Sequence, residues 1–553
     1  RQRPESRRGA QTDAVGMKKT LYQDLWEGAA GMEPAVALRC GDQSLTFAAF
    51  FLEILRAEAG LRALGVQSGD LVTILSLNTP EAVIAFYAID RIGAVANWVD
   101  MKLSPAEVEF YLTRAKSKVV LVLELIFQKV YANRGHAPAE HFVVLPLAPY
   151  LTPELGRKLR VGVWEGEKGP GCVSWKEFLQ DTGESVPESA RWEEPVAITY
   201  TGGTTGPAKG VMLSRRAFRA SLQQYTQVGT MYGRGGATLV LLPLFSAFGL
   251  CQCVHVPLCL GMTIILYPMF RPEQLGEMLR RYRPEQVSGT TSYWQLLLQD
   301  PWADQADLSF LQVPRCGGDA MTAAMERRIN DFLAQRGCPA RLIKEYGMSE
   351  VAGIVCVSYG DWEAGDVGRP LPGCRIIAVD PETGAACPPE GQGELIIQSN
   401  TVMNGYYGVP EADAEVLRPG PDGTLWVWTK DLGHQTADGR IVVTGRKKRM
   451  ISRNGFKIFP SVIEECLLQE DQVEACAVVG GRNSRGETVP VAHIVPQPGT
   501  DQETLERALR LRAKQALNTY LIPGMYCFWS RLPYTERGKL DYRKLEESQN
   551  TKP

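Results

Sequence analysis

Runs of consecutive apolar residues alternate, along the N-terminal part of the chain, with segments whose apolar positions recur every three or four residues. The runs have the length of buried strands: LVTILSL, VVLVLE and FVVLPL. The periodic segments predict helices: Phe47 to Leu64, Pro80 to Trp98 and Pro105 to Lys116. Strands that alternate with helices in this way predict an α/β domain of layered sheets and helices, with largely parallel sheets.

One stretch, from Thr238 to Phe270, contains no Lys, Arg, Asp or Glu, which is typical of a membrane-spanning segment. Pro243, Pro257 and Pro268 interrupt it. Its ends, TLVLLPL and MTIILYP, have the pattern of buried strands with a short apolar helix between them. We therefore interpret the stretch as part of a soluble core and predict no membrane span.

The rest of the chain divides by pattern. Residues 152 to 194 are polar and rich in Gly and Pro, and predict a surface connection with little regular structure. From Gly373 to Val443 short strands with turn signals predict a β-rich subdomain. We predict three parts: a disordered extension at 1–16, a large N-terminal domain at 17–447, and a small mobile α+β domain at 448–553.

Composition narrows the function classes. The 553 residues carry 60 basic and 62 acidic side chains, so no global charge favours nucleic acid. The 13 cysteines form no C-x-x-C pair and the five histidines are dispersed, which argues against a disulfide framework and a zinc site. We expect a cytoplasmic protein, since the first sixteen residues also lack the apolar stretch of a secretory signal.

A glycine-rich loop is the first chemical signal. After the apolar strand VAITYT the chain reads GGTTGPAKG from Gly202 to Gly210, and a helix is predicted from about Ser214. Backbone N–H groups, threonine hydroxyls and the Lys209 ammonium together suit a polyphosphate. The spacing excludes a Walker loop, because Lys209 precedes glycine. Taken alone, a plain glycine-rich turn is the alternative.

The loop YTGGTTGPAKGVMLS closely resembles the signature loop of the adenylate-forming superfamily, which includes acyl-CoA synthetases, adenylation domains of peptide synthetases and luciferases. Further segments resemble successive motifs of that family, in the same order: PLFSAFG, CGGDA, EYGMSE, GDVGRPLPG, NGYYG, WTKDLG, GRKKRMISRNGFKIFP and PYTERGKLD. On these motifs the chain is identified as a member of the AMP-dependent synthetase and ligase family, specifically similar to acyl-CoA synthetases.

The resemblance implies a set of ATP-binding residues: Thr201, Gly202, Gly203, Thr204, Thr205, Gly206, Lys209, Gly318, Asp319, Tyr346, Gly347, Met348, Ser349, Asp431 and Arg446. Among them, Tyr346 would stack on adenine and Asp431 would accept hydrogen bonds from the ribose. Three residues would be catalytic: Glu350, Thr204 and Lys539. Glu350 would also be the Mg²⁺ ligand, since magnesium is usually held by a carboxylate together with phosphate oxygens.

The basic segment from Arg446 to Lys457 contains six cations and no acid. A solvated face or a nucleic-acid patch is the generic interpretation. The family resemblance implies instead a hinge at Lys448, about which the small domain presents either Lys539 or a thiol channel at Gly455 and Lys457. The acyl pocket implied by the resemblance contains Ser246, Phe248, Trp294, Gly317 and Val351.

These expectations describe an ATP-dependent acid–thiol ligase that forms an acyl-AMP from a fatty or aromatic acid and transfers the acyl group to coenzyme A. A stand-alone enzyme that loads a carrier protein and a catalytically silent nucleotide-binding relative are the alternatives. Three residues depart from the family pattern: Ser246 replaces a common histidine, Lys430 a glycine and Arg449 an acid. The two added cations predict tighter binding of phosphates on the thiol side, with stronger salt dependence.

Overall fold

The computed structural model describes residues 19–161, 169–181, 191–201, 208–359, 363–453, 456–483, 488–535 and 540–548. The strands of this part, in chain order, are β1 (Val36–Cys40), β2 (Gln43–Thr46), β3 (Leu71–Leu75), β4 (Val95–Trp98), β5 (Val119–Leu123), β6 (His141–Leu145), β7 (Cys172–Ser174), β8 (Pro195–Tyr200), β9 (Gly210–Ser214), β10 (Ala237–Val240), β11 (Thr263–Leu266), β12 (Gln286–Gly289), β13 (Val313–Gly317), β14 (Ile343–Met348), β15 (Gly353–Val357), β16 (Arg369–Pro370), β17 (Arg375–Val379), β18 (Gly393–Gln398), β19 (Leu417–Pro419), β20 (Leu425–Gln435), β21 (Ile441–Arg446), β22 (Ile451–Arg453), β23 (Phe456–Ile458), β24 (Val473–Arg482), β25 (Thr488–Pro496) and β26 (Met525–Phe528).

The α-helices of the same residues are α1 (Leu21–Gly28), α2 (Phe47–Ala63), α3 (Pro80–Ile92), α4 (Pro105–Ala115), α5 (Phe127–Ala132), α6 (Pro153–Leu159), α7 (Trp175–Phe178), α8 (Arg215–Val228), α9 (Ala247–Leu250), α10 (Val256–Cys259), α11 (Leu275–Tyr282), α12 (Thr291–Leu297), α13 (Ala323–Gln335), α14 (Asp413–Val416), α15 (Pro460–Leu467), α16 (Gln502–Ala516) and α17 (Tyr542–Glu547). Several begin at a Ser or Thr whose side chain accepts a bond from a backbone N–H of the first turn, as Thr79 and Ser104 do.

Two large sheets carry the N-terminal part of the described chain. One has the strand order β16-β15-β14-β13-β12-β10-β11-β1-β2, and the other β7-β6-β5-β3-β4-β8-β9. The inner neighbours of both sheets pair mostly in parallel. Both edges of the first sheet and the β9 edge of the second are antiparallel, whereas the β7 edge is parallel. Residues of both sheets and of α2, α3 and α8 share one buried apolar core. The predicted α/β architecture with largely parallel sheets is therefore confirmed.

The helices and strands predicted in the N-terminal part are observed, except that one predicted helix is a helix followed by a strand. The segment from Pro80 to Trp98 is not one helix, because α3 ends before Gly93, which adopts a left-handed φ of 78°. The chain then turns into β4. The apolar positions that had indicated helix beyond Ile92 therefore belong to a buried strand. A helix cannot pass such a C-cap, since the next residues leave the helical hydrogen-bond pattern.

The polar region predicted as irregular, residues 152–194, contains more regular structure than expected. Within its described part lie α6, β7 and α7, and β7 extends the second sheet by pairing in parallel with β6. Thr152 and Ser174 cap the two helices with their side chains. Short capped elements of this kind leave little hydrophobic periodicity in the sequence, which explains why the pattern missed them.

The uncharged stretch from Thr238 to Phe270 folds into the core as predicted. It supplies β10 and β11 to the first sheet, and between them α9, a π-helical turn at Cys251–His255 and α10. Across the described residues no helix has both the length and the apolar character needed to cross a bilayer.

Smaller sheets form the C-terminal part. The β-rich region predicted from Gly373 is a five-stranded sheet of β17, β18, β19, β20 and β21. Beyond it, β24, β25 and β26 form a three-stranded sheet that packs with α15 and α16 around a separate apolar core containing Ile463, Val478 and Leu509. The predicted small α+β unit is thus present, because it has its own sheet and its own core.

A buried ion pair lies where α1, α3 and α8 meet. Arg215 Nε donates to Asp90 Oδ1 at 2.8 Å, both side chains are fully buried, and Asp90 also accepts a bond from the backbone N–H of Tyr22. Burial raises the pKa of Asp90, and the Arg215 charge opposes that shift. Removal of one partner would leave the other charge buried without compensation.

We predict that Asp90→Asn lowers the free energy of unfolding by about 3–5 kcal/mol, because Arg215 keeps its charge and loses its counter-ion. The measurement is the midpoint of urea unfolding followed by tryptophan fluorescence. Asp42→Asn is the matched control, since Asp42 forms an exposed pair with Arg281, and it should leave the midpoint unchanged. Equal midpoints for both variants would contradict a structural role for the buried pair.

Candidate active site

The ends of the glycine-rich loop are fixed by the antiparallel pairing of β8 and β9. Thr201 N–H donates to the Lys209 carbonyl at 3.0 Å, and Lys209 N–H donates to Thr201 Oγ1 at 3.3 Å. The predicted loop residues Gly202, Gly203, Thr204, Thr205 and Gly206 lie outside the described residues. A strand, not a helix, follows the loop directly, and α8 begins after it, at Arg215. Lys209 therefore stands immediately before β9.

The NGYYG motif, residues 404–408, connects this strand with the EYGMSE motif. Tyr407 N–H donates to the Gly210 carbonyl of β9 at 2.7 Å. On its other side, Met403 N–H donates to the Glu350 carbonyl at 2.9 Å. These backbone bonds hold Tyr406 between two segments that are far apart in sequence.

Tyr406 links Glu350 with Lys209. Its hydroxyl donates to Glu350 Oε1 at 2.7 Å, and the Lys209 ammonium lies 5.1 Å from the centre of its ring. Glu350 and Tyr406 are both buried. Burial raises the pKa of Glu350, and the Tyr406 hydrogen bond opposes that rise. A buried carboxylate whose ionised form is incompletely compensated by the protein is a favourable ligand for a cation.

A second group of side chains surrounds Asp431, which is also buried. Tyr346 Oη donates to Asp431 Oδ2 at 2.9 Å, and Arg446 Nε lies 2.7 Å from Asp431 Oδ1. Desolvation raises the pKa of Tyr346 well above its usual value, so the phenol stays protonated and donates. Asp431 and Arg446 both influence the pKa of Glu350 electrostatically, which places the two groups in one neighbourhood.

The backbone of β14 and of the short turn after it presents Tyr346 and Glu350 to these partners. β14 pairs antiparallel with β15, and a Cβ on Gly347 would collide with the carbonyl oxygen of Gly353 and lie 2.8 Å from the Ile354 Cα. Met348 ends β14, and Ser349 begins the short turn that carries Glu350. Gly347 thus permits a close approach of two strands that no larger residue could maintain.

The CGGDA motif continues from the end of β13. Gly318 adopts a left-handed φ of 82°, and Asp319 accepts a hydrogen bond from the Ala320 N–H at 2.9 Å. A Cβ on Gly317 would lie only 3.1 Å from Cε1 of Phe248. Gly317 and Phe248, both predicted for the acyl pocket, are therefore direct neighbours.

The other predicted acyl-pocket residues have structural contacts. Ser246 Oγ accepts a bond from Gly249 N–H at 3.0 Å and donates to the Pro243 carbonyl at 2.7 Å, so Ser246 is the N-cap of α9. Trp294 is buried, and its indole N–H donates to the Arg315 carbonyl. Val351 is fully buried. These three side chains pack within the protein, and their contact with an acid stays a prediction.

The C-terminal unit contacts the CGGDA region. Tyr534 Oη donates to Gln295 Oε1 of α12 at 3.2 Å, and Tyr534 forms a β-bridge with Leu540. Burial raises the pKa of Tyr534, and Asp319 raises it further. Lys539, which lies between these two flanking residues in sequence, is outside the described residues. Tyr534 of the PYTERGKLD motif thus lies against α12 and within electrostatic range of Asp319.

The basic segment has carboxylate partners that the sequence did not indicate. Besides the Arg446–Asp431 pair, Lys447 Nζ lies 3.2 Å from Glu394. Lys448 lies in the turn after β21, and nothing is described of its side chain, of Gly455 or of the Lys457 side chain. Much of the apparent excess of positive charge is therefore balanced within the protein.

Arg449 corrects an expectation. Its guanidinium binds Glu464 at 2.9 Å and lies 3.6 Å from the centre of the Tyr542 ring. These contacts hold the side chain inside the C-terminal unit, where it stabilises packing and does not present an unpaired charge to thiol-side phosphates. Stronger phosphate binding through Arg449 has no support in this arrangement.

Two residues that contact the candidate site, Tyr406 and Glu415, were not predicted from the sequence. Tyr406 belongs to a recognised motif, but its role as the donor to Glu350 depends on backbone bonds between distant segments. Glu415, whose carboxylate lies 3.4 Å from the Lys209 ammonium, belongs to no quoted motif. Neither contact has a local sequence signal, because Tyr406 is 56 positions from Glu350 and Glu415 is 206 positions from Lys209.

Two family profiles and several known proteins match this chain. The family profile of AMP-binding enzymes matches residues 25–407, and that of the AMP-binding enzyme C-terminal domain matches residues 462–539. The chain is 28% identical to a long-chain-fatty-acid–CoA ligase of Bacillus subtilis (strain 168), covering 96% of this chain and 95% of the relative.

It is 30% identical to a feruloyl-CoA synthase of an Amycolatopsis species, covering 92% of this chain and 95% of the relative. Its fold is similar to that of the anthranilate CoA ligase AuaEII solved in complex with anthranoyl-AMP. That match has a TM-score of 0.82 at 24% identity and covers 96% of this chain and 98% of the other.

We predict that Gly347→Ala lowers the free energy of unfolding by about 1–3 kcal/mol and weakens ATP binding, because the new methyl group forces β15 away from β14. Urea unfolding and titration with a fluorescent ATP analogue are the measurements. Gly156→Ala is the matched control: Gly156 lies in α6, where a Cβ meets no atom within 4 Å. Unchanged binding in a folded Gly347→Ala protein would contradict the positioning role of this strand pair.

Proposed function

Because the chain belongs to the family of AMP-binding enzymes, we propose that it is an ATP-dependent acid–thiol ligase that converts a hydrophobic carboxylic acid to its coenzyme A thioester. The reaction proceeds through an acyl-adenylate and releases AMP and pyrophosphate. The relatives that support this proposal are named as a CoA ligase and a CoA synthase, and they match the chain over nearly its whole length.

The single observation that carries the proposal is the convergence of Lys209, Glu350 and Asp431. Contacts run from Lys209 through Tyr406 to Glu350, and Glu350 lies within electrostatic reach of Asp431 and Arg446. A cation at one end and a hydrogen-bond acceptor at the other match the phosphate and ribose ends of a nucleotide. The proposed orientation therefore places the triphosphate towards Lys209 and the ribose towards Asp431.

In the first half-reaction, a carboxylate oxygen of the acid attacks the α-phosphorus of ATP. The new O–P bond forms as the bond between the α-phosphorus and the bridging oxygen breaks, and pyrophosphate leaves with the electron pair. Lys209 stabilises the departing charge electrostatically, and the Thr201–Lys209 loop holds the phosphates, with Thr204 as a donor to them. Tyr346 stacks on adenine, while Ser349 contacts the α-phosphate.

Mg²⁺ fits this site through Glu350. Burial raises the pKa of the Glu350 carboxyl, so an added cation would favour its ionised form, and the Tyr406 hydroxyl bonds Oε1. When bound, Mg²⁺ would neutralise phosphate charge, as it usually does when held by one or two carboxylates together with substrate phosphates. Tyr406 and the Met403–Glu350 backbone bond would hold the carboxylate in place for it.

In the second half-reaction, a thiolate attacks the carbonyl carbon of the acyl-adenylate and AMP departs. We propose that residues 448–553 move as one domain about Lys448, so that Lys539 serves the first step and the segment with Gly455 and Lys457 borders the thiol in the second. The 17–447 domain would remain fixed. The hydrogen bond from Tyr534 to Gln295 and the electrostatic influence of Asp319 on Tyr534 support the first of these two poses.

The proposed acid is hydrophobic, either aliphatic or aromatic. Phe248 and Gly317 approach each other closely, and the Ser246 hydroxyl is already used twice in capping α9. A wall of this kind offers an apolar surface and no charged partner for a substrate ammonium. None of the thirteen cysteines, all of which lie within the described residues, forms a disulfide. This suits a reducing compartment, and we propose a cytoplasmic location.

The proposal is tested by measuring pyrophosphate release with a panel of long-chain, arylpropenoic and arylacetic acids, with and without coenzyme A. We expect release with at least one class of acid and stoichiometric formation of AMP and thioester when coenzyme A is present. Acid-dependent ATP–pyrophosphate exchange without any thioester would identify instead an enzyme that loads a carrier protein. Absence of release with every acid would refute ligase activity.

A second prediction concerns Lys539. Lys539→Ala should slow acid-dependent ATP–pyrophosphate exchange by about 10²–10³-fold, because it removes a positive charge from the developing transition state. Thioester formation from supplied acyl-AMP and coenzyme A should persist. Lys544→Ala is the matched control, since Lys544 is a largely exposed lysine of the neighbouring helix α17. Equal loss of both half-reactions would contradict a role confined to the first.

A further inference from the structure

A cluster of three charged side chains lies at the phosphate end of the site. Glu415 Oε2 is 3.4 Å from Lys209 Nζ and 3.3 Å from Lys430 Nζ, so one carboxylate oxygen is shared by two ammonium groups. Glu415 lies on α14 and Lys430 on β20, and Lys209 precedes β9. Three segments that are distant in sequence therefore bring the Lys209 and Lys430 ammonium groups to ion-pair distance from the same oxygen of Glu415.

Lys430 occupies an unusual backbone position. The pairing of β20 with β18 shifts register between Glu394 and Ile396, and Lys430, on the facing part of β20, has a φ of 62°. Left-handed backbone geometry in a bulge favours glycine, which is also the usual residue at this position of the family motif. A lysine adopts this geometry only at a cost in conformational energy. Strained positions of this kind concentrate at functional sites.

The ion pairs of the cluster are weak enough to exchange. The side chains of Lys430 and Glu415 are each more than half exposed, and Lys209 is about one-third exposed. Exposed pairs contribute little to stability because water screens them. The two cations lower the pKa of Glu415, so the carboxylate is ionised and acts as their counter-ion. A polyanion with several phosphoryl oxygens would compete with a single carboxylate for the same ammonium groups.

From this geometry, and resting on the proposed function, we propose that Lys430 is a second pyrophosphate-binding cation beside Lys209, and that both exchange Glu415 for phosphoryl oxygens when ATP binds. Lys209 is fixed by the β8–β9 pairing and the ring of Tyr406. Lys430 reaches the same carboxylate oxygen from the bulge in β20. The ligand bound by this pair is the terminal pyrophosphate portion of the nucleotide, and the pair still holds it after the α-phosphorus bond has broken.

The test measures binding of inorganic pyrophosphate by calorimetry and the KM for ATP in variants of Lys430. Lys430→Gln removes the charge, and Lys430→Gly also relieves the backbone strain, so that a loss shared by both variants cannot come from misfolding. Each should weaken pyrophosphate binding and raise the KM for ATP by about 3- to 10-fold, the effect of losing one charged contact. The kcat at saturating ATP and the KM for the acid should stay within about twofold.

Lys430→Arg should retain most of the affinity, since it keeps the charge at the same position. Arg375→Gln is the charge-matched control: Arg375 pairs with Asp422 at the other end of the same small sheet, and its loss should change neither constant. An unchanged affinity for pyrophosphate in both Lys430→Gln and Lys430→Gly would overturn the proposal.

Glu415→Gln separates direct binding from mere charge neutralisation. In that background Lys430→Gln should still weaken pyrophosphate binding by a similar factor, because the ammonium itself contacts phosphate. If the effect of Lys430 vanishes once Glu415 is neutral, Lys430 only shields Glu415 and the proposal is overturned. Pyrophosphate calorimetry needs neither an acid nor coenzyme A, so this result is independent of whether the wild-type protein shows ligase turnover.

Discussion

The arrangement of the site depends on one buried carboxylate. Glu350 is removed from water, and its ionised form is stabilised within the described residues by the hydroxyl of Tyr406. To deliver that hydroxyl, the NGYYG motif bonds β9 through Tyr407, and Met403, just before the motif, bonds the Glu350 carbonyl. The segment that stabilises the Glu350 charge therefore connects β9, at the edge of one large sheet, with the turn after β14 of the other. Lys209 is brought to the same place as a consequence, because it precedes the strand that the motif binds.

The contacts between the two structural units are of a different kind. Polar contacts join the N-terminal part to the C-terminal unit. They include the hydrogen bond from Tyr534 to Gln295 and a hydrogen bond from Arg328 to the Glu474 carbonyl. The Arg328 contact is exposed and the Tyr534 contact is partly buried, so water can readily replace at least the first. An interface of this type can separate and reform at low cost, which suits the two poses proposed for the C-terminal unit. The pairing of Arg449 with Glu464, by contrast, lies within that unit and would move with it.

The bulge in β20 shows how a local irregularity organises a site. The extra residues between Trp428 and Leu432 turn Asp431 towards Tyr346 and Arg446, and Lys430 towards Glu415. In a regular strand the pleat alone would fix the directions of these two successive side chains, one to each face of the sheet. One departure from regular pairing therefore serves both the ribose end and the phosphate end of the proposed nucleotide.

The sequence by itself determined the layered α/β class, the β-rich region, the separate C-terminal unit and the order of the motifs. These follow from periodicity and from turn residues, which act over a few neighbouring positions. It also indicated Lys209, Glu350 and Asp431 through motifs, though not the contacts that unite them. Only the tertiary structure decided that Tyr406 donates to Glu350, that Glu415 lies between two lysines, and that Arg449 is held by Glu464 and Tyr542. The reason is physical: hydrogen bonds and ion pairs act over a few ångströms, and the fold alone sets which distant residues come within that range.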